Sequence, residues 1–281
     1  MLFEQHRPRL TRIAYRMTGS TAEAEDIVQE AYLRWHASDR DAVRAPAAFL
    51  TRVVSRLALD VLKSARVRRE TYPGPWLPEP IIVEEEPCED VTLTLMIALE
   101  RLSPLERAAF LLHDVFGEGY GEVAATLGRD EAACRQLAAR AREHVRAARP
   151  RFPVERDRGI AIAAAFLSAS RSGDVSALKG LLTADVVVHS DGGGKRPAAG
   201  KPVVGADVVA RFFRHWAEVS GFRRPAVLHL GLVDGLPGYV TREPDGIQVT
   251  AFAVEGDRIA AIYVVRNPDK LERLARRFGR D

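Results

Sequence analysis

The chain has 281 residues, enough for two or three domains with separate cores. Its 47% hydrophobic and 28% charged residues are ordinary for a folded protein and exclude a collagen-like, wholly disordered or disulfide-scaffold chain. The net charge of +3 means little until divided: residues 1–150 hold 21 Lys and Arg against 23 Asp and Glu, which excludes a generic nucleic-acid-coating protein, and residues 151–281 hold 20 against 15.

In chain order, Leu10, Ile13, Ala14 and Met17 recur with the helical period, and Gly19 stops that helix. Ser20 to Glu23 reads as a capping box opening a second helix that buries Ile27 and Ala31 and leaves Glu25, Asp26, Gln29 and Glu30 on its polar side. After Pro46 a long helix is predicted to Arg69, with Phe49, Val53, Leu57 and Val61 along one face. It ends in a basic cluster, Lys63, Arg66, Arg68 and Arg69. Five prolines between 73 and 87, and six acidic residues with no basic one over 71–90, predict an ordered or tethering linker.

Helix returns near Asp90–Arg101, and Ser103-Pro104-Leu105-Glu106 opens the next one, predicted to end near Gly117. A short helix (Tyr120–Leu127), Gly128 and a longer basic helix from Asp130 to Ala148 form a helix-turn-helix pattern, Asp130 serving as N-cap. From about 155 the texture becomes mixed. Helices near 157–171, 174–182 and 205–219 alternate with strand-like runs at 185–189, 226–233, 238–242, 247–254 and 259–265, and a last helix covers 269–278. That is an α+β domain with a curved antiparallel sheet. No run approaches the roughly 18 apolar residues of a bilayer span. The opening MLFEQHRPRL lacks the apolar core of a secretory signal, and Cys88 and Cys134 form no CxxC pair. A cytoplasmic chain with no metal site and no cofactor is expected.

Two basic stripes separated by acidic residues suggest two DNA contacts on one chain. Arg129, Arg135, Gln136, Arg140 and Arg142 are of types that bond base edges and phosphates in a major groove. Ala24-Glu25-Asp26-Ile27-Val28-Gln29-Glu30-Ala31-Tyr32-Leu33-Arg34-Trp35 resembles region 2 of extracytoplasmic-function (ECF) sigma factors, and Leu102–Arg107 through Leu127–Arg129 to Arg140–Arg142 resembles region 4. The resemblance implies a sigma factor that brings RNA polymerase core to promoters. Asp26, Gln29, Glu30, Leu33 and Trp35 would dock on polymerase. Arg52, Arg56 and the Lys63–Arg69 cluster would serve the −10 element, and the second helix of the helix-turn-helix would read the −35 element.

Three further strings resemble a subgroup with a SnoaL-like C-terminal domain: Trp76-Leu77-Pro78-Glu79-Pro80, Asp191-Gly192-Gly193-Gly194-Lys195 and Asn267-Pro268-Asp269-Lys270-Leu271. The implied fold is multidomain: two all-α sigma domains (region 2 bundle over 1–70, region 4 helix-turn-helix over 91–152), a linker over 71–90, and an α+β SnoaL-like cone over 153–281. In that subgroup the linker and C-terminal domain set activity in place of a separate anti-sigma protein, so the resemblance implies interdomain or regulatory roles for the residues of the three strings. The glycines of DGGGK permit close backbone approach, but GxxxxGK[ST] spacing is missing, which argues against a nucleotide loop. His189, Asp191, His215 and His229 could serve a cyclase-like enzyme, yet read better as structural residues, so the chain is read as no enzyme. A small-molecule ligand in the cone is a further possible partner. The alternative reading is a ligand-responsive DNA-binding regulator, or a SnoaL-like enzyme with an accessory DNA-binding module. A polymerase-docking helix discriminates against it.

Overall fold

The computed structural model describes residues 2–82, 93–148 and 154–279. The chain divides into two compact units, Met1–Thr71 with Leu95–Arg149, and Tyr72–Thr94 with Pro150–Asp281. The two helical domains expected separately therefore share one unit, and the linker groups with the C-terminal domain. Its acidic stretch from Glu84 to Asp90 lies outside the described residues.

In the helical unit, α1 (Leu2–Thr18), α2 (Thr21–Ala37) and α3 (Pro46–Glu70) form a three-helix bundle. Ser20 caps α2 by accepting from the Glu23 N–H at 3.3 Å. The core is Leu10, Ile13, Ala14 and Met17 of α1, Ile27, Val28 and Ala31 of α2, and Leu50, Val54, Ala58 and Leu62 of α3. The buried stripe of α3 is thus one position later than Phe49, Val53, Leu57 and Val61, which lie half-buried at its margin. Thr51, Ser55 and Ala58, small or polar, sit on the buried side and disguise it in the sequence.

After α4 (Leu93–Leu99), α5 (Pro104–Phe110) starts at a complete capping box between Ser103 and Glu106 and continues into a π-helical turn, Leu111–Val115. α6 (Tyr120–Leu127) and α7 (Glu131–Ala148) follow, separated by Gly128 in the left-handed region at φ 63°. Asp130 caps α7, accepting from the Ala133 N–H at 2.7 Å.

The C-terminal unit builds α8 (Arg156–Ser172), α9 (Val175–Leu181) and α10 (Ala206–Val219) against a six-stranded sheet. Its strands are β1 (Leu182–Asp191), β2 (Val203–Val204), β3 (Ala226–Val233), β4 (Leu236–Glu243), β5 (Gly246–Glu255) and β6 (Arg258–Val265), in the order β2-β1-β6-β5-β4-β3. The β1–β6 pair is parallel, a departure from the expected antiparallel sheet. The long chain between β1 and β6 lets them lie side by side in the same direction, which a tight hairpin cannot do. Phe166, Leu178, Val188, Val209, Phe252 and Ile262 fill the space between helices and sheet. α11 (Pro268–Arg277), Pro at its first turn and Asn267 as cap, lies against β5.

Candidate functional site

The helix-turn-helix presents a clean outer face. Cys134, Ala138, Ala141 and Val145 are buried at helical spacing, so α7 turns Arg135, Gln136 and Arg140 outward, with the small Ala132 and Ala139 between them. A side-chain-poor ridge flanked by donors suits close approach to a groove. Arg135 pairs with Glu131 at 2.6 Å and lies over the Tyr120 ring, and exposed Arg129 donates to the Gly128 carbonyl at 3.1 Å. Arg142 is different: it donates to Asp114 at 2.6 Å and to the Tyr120 hydroxyl at 2.8 Å, bracing α7 against the preceding helices. It is a positioning residue of the motif in this conformation and not part of its outer face.

Arg52 and Arg56, expected at DNA, hold α6 in this structure. Arg52 donates to Glu122 at 3.2 Å, and Arg56 to the Thr126 and Ala125 carbonyls at 3.0 and 2.8 Å. The last carbonyls of a helix have no partner within it and carry its negative dipole end, so a guanidinium there is favourable. Arg9 adds a third bond set, to Thr51 at 2.9 Å, the Phe116 carbonyl at 3.1 Å and Glu118 at 2.8 Å. Lys63 is exposed beside Asp60. Arg66, Arg68 and Arg69 lie on the last turns of α3, and their side chains lie outside the described residues.

On α2, Asp26 and Gln29 are exposed, Glu30 pairs with Arg34, and Leu33 stands 55% exposed beside them. The leucine thus stands exposed on an acidic stripe. Trp35 is a correction: only 5% exposed, it packs on Phe49 with ring centroids 5.8 Å apart, because its position falls on the inward side of the helix.

In the C-terminal unit the three strings WLPEP, DGGGK and NPDKL meet around one carboxylate. Asp191 is fully buried at the end of β1. Its Oδ1 accepts from the Tyr72 hydroxyl at 2.6 Å and the Gly193 N–H at 3.0 Å; its Oδ2 accepts from the Leu77 N–H at 2.9 Å and Lys270 at 2.7 Å. Four donors match the four acceptor sites of a carboxylate. Lys270 also donates to the Leu77 carbonyl at 2.6 Å and lies over the Trp76 and Tyr72 rings, 4.1 and 4.9 Å from their centroids. Asn267 donates to the Tyr72 hydroxyl at 2.8 Å. Burial, then the hydrogen bond to Asp191 and its charge, push the Tyr72 phenol well above its ordinary value.

The glycines of DGGGK answer to geometry. A Cβ on Gly193, at φ 63°, would fall 2.4 Å from the Asn267 amide, and one on Gly192 would fall 2.1 Å from the Arg196 carbonyl oxygen. Lys195 pairs with Asp269 at the surface. Leu77, Pro78, Glu79 and Pro80 are buried, and Leu271 anchors α11 in the core.

Sequence reasoning missed two participants. One is Tyr72. The other is Asp234, in the two-residue β3–β4 turn: its carboxylate accepts from the Ile81 N–H at 3.0 Å, its N–H donates to the Ile81 carbonyl at 2.9 Å, and its carbonyl accepts from the Leu93 N–H. The Asp234-Gly235 pair is a hairpin signal, but nothing in it points to the linker. His189 stacks on Tyr263, His215 is exposed, and neither they nor His229 line the cavity of the cone.

The chain as a whole is similar to known proteins. Residues 2–68 match the family model for sigma-70 region 2, and residues 93–145 match that for sigma-70 region 4. The ECF RNA polymerase sigma factor SigJ of Mycobacterium tuberculosis strain H37Rv is 40% identical over 99% of this chain and 96% of its own length. The chain belongs to the ECF RNA polymerase sigma factors. The crystal structure of M. tuberculosis SigJ superposes with a TM-score of 0.78 at 37% identity, over 96% of this chain and 97% of that one. The ECF sigma factor SigE of Mycolicibacterium smegmatis is 34% identical over 52% of this chain and 59% of its own length. As an ECF sigma factor, the chain directs promoter-specific transcription initiation by RNA polymerase. Its SnoaL-like cone accompanies the sigma regions along the whole length shared with SigJ. Among the described residues no helix is long and apolar enough to cross a membrane.

Proposed function

We propose that the cone domain regulates this sigma factor by gripping the linker between regions 2 and 4, so that the separation those regions can reach is set by a chain held at one side. The observation that carries this reading is the buried Asp191 with Tyr72, Leu77 and Lys270 bonded to it. A linker so anchored is a strut, not a free tether. The partners are RNA polymerase core, met by Asp26, Gln29, Glu30 and Leu33 of α2, and promoter DNA, with the α3 basic cluster at the −10 element and Arg135, Gln136 and Arg140 at the −35 element. The place of action is the cytoplasm, and the chain carries out no chemistry of its own.

Arg52 and Arg56 serve DNA only after leaving α6, so promoter binding selects an opened form of the helical unit. The test is transcription in vitro with core polymerase and promoter fragments, comparing the full chain with Trp76→Ala, Lys270→Met and a chain ending near Val154. Changed transcript yield in all three supports the strut, and the direction of change gives the sign of regulation. Identical yields from all four proteins would leave sigma activity intact and sink the regulatory reading.

A further inference from the structure

The cone holds a cavity that no part of the sigma activity uses. It is lined by Arg171, Arg266, Phe212, Phe213, Trp216 and Tyr239 among others. Aromatic walls with a few convergent polar groups are the lining of a small-molecule pocket.

Its electrostatics are unbalanced. Arg171 pairs with Glu243, while Arg196 and Arg266 share Asp245, so three guanidinium groups face two carboxylates. The side chains of Arg171 and Arg266 are 10% and 6% exposed, and the Nε–H of each is buried with no hydrogen-bond partner. A buried cation with an unused donor is costly. Burial and the Arg196 charge hold Arg266 below its ordinary pKa, against the pull of Asp245 and Glu243. The remaining lining is aromatic: the Arg266 guanidinium sits 4.7 Å from the Trp216 centroid, and Phe212 stacks on Trp216 at 6.4 Å.

We propose that this cavity binds a small aromatic monocarboxylate, its anionic end taken by Arg171 and Arg266 and its ring set among Phe212, Phe213 and Trp216. One added negative charge balances the cluster and gives the two buried guanidinium groups a shared counter-ion. The inference does not depend on the regulatory reading, since it concerns binding alone, but it has a structural consequence. Arg266 and Ser190, both in the lining, directly precede Asn267 and Asp191 of the linker anchor. The N–H groups of Arg266 and Asn267 both donate to the Asp191 carbonyl, at 2.7 and 3.0 Å. An occupant therefore stiffens the backbone that holds the linker.

The test is titration calorimetry of the full chain with benzoate, with benzamide and inorganic phosphate as neutral and non-aromatic controls. Benzoate is expected to bind in the submillimolar range, each control at least about tenfold more weakly. Exposed Ala198 lines the cavity, so Ala198→Phe fills it and is expected to abolish binding without touching the arginines. Arg171→Met is expected to weaken binding by about tenfold or more. Absence of benzoate binding, equal binding of benzamide or of phosphate, or undiminished binding to folded Ala198→Phe would each overturn the proposal. If Ala198→Phe does not fold, Arg171→Met and the two controls decide it on the same terms.

Discussion

The two units secure their polar contacts in opposite ways. In the helical unit Arg52 and Arg56 hold α6 from partly exposed positions, through helix-end carbonyls and a carboxylate that water also reaches. In the cone Asp191 is out of water and every acceptor site is filled. An exposed ion pair contributes about 0–1 kcal/mol, and salt or a polyanion competes with it. Removing one partner of a buried pair costs roughly 3–5 kcal/mol, because the other charge is stranded. The arginine contacts on α6 are therefore the weaker and more salt-sensitive set, and the linker anchor is the stronger.

The largest effect expected from that contrast is at Asp191. Asp191→Ala should lower the stability of the cone by about 3–5 kcal/mol, seen in calorimetry of the full chain as a downward shift of its transition. A loss of under about 1 kcal/mol would place the anchor level with the arginine contacts and end the distinction. Gly193→Ala, which drives a Cβ into Asn267 at a positive φ, should cost about 1–3 kcal/mol in the same transition and leave that of the helical unit alone.

Arg140→Ala separates reading from bracing. It should weaken promoter binding by about 1–3 kcal/mol in a gel-shift or anisotropy titration and barely change stability, its side chain being exposed. Arg142→Ala, by contrast, should lower the stability of the helix-turn-helix first, since it cuts the bonds to Asp114 and Tyr120. Tyr72 sharpens the comparison through pH. Its phenol is raised in the folded state, so its contribution is complete below the ordinary tyrosine value of about 10 and is lost as pH rises through the higher folded value. Proteolytic nicking of the linker should increase in strong alkali, and Tyr72→Phe should remove that dependence. The smallest effect belongs to Arg52→Ala, which should change stability by no more than about 1 kcal/mol, and less as salt is added.

Local signals carried much of this molecule. The capping box at Ser103, the Gly128 turn and the Asp130 cap depend on bonds between residues three or four apart, so they are readable in order along the chain. The outward set Arg135, Gln136 and Arg140 follows from the spacing of Cys134, Ala138 and Ala141. The face of α3 was misplaced because side-chain size suggested one stripe and packing chose its neighbour. Trp35 was assigned to polymerase docking through the resemblance of its motif, whereas a turn of 100° per residue puts its ring inside.

By itself the sequence determined the helices on either side of the proline-stiffened segment, the helix-turn-helix pattern and the α+β character of the C-terminal part, because helix period, caps and turn residues act within a few positions; the sigma regions and the cone came from the resemblance of its motifs. Only the tertiary structure decided what that segment binds. Tyr72 and Asp191 are 119 residues apart, and Ile81 and Asp234 are 153 apart. A hydrogen bond across such a distance leaves no periodic trace in the chain; it exists because folding buries a carboxylate that must then find its donors.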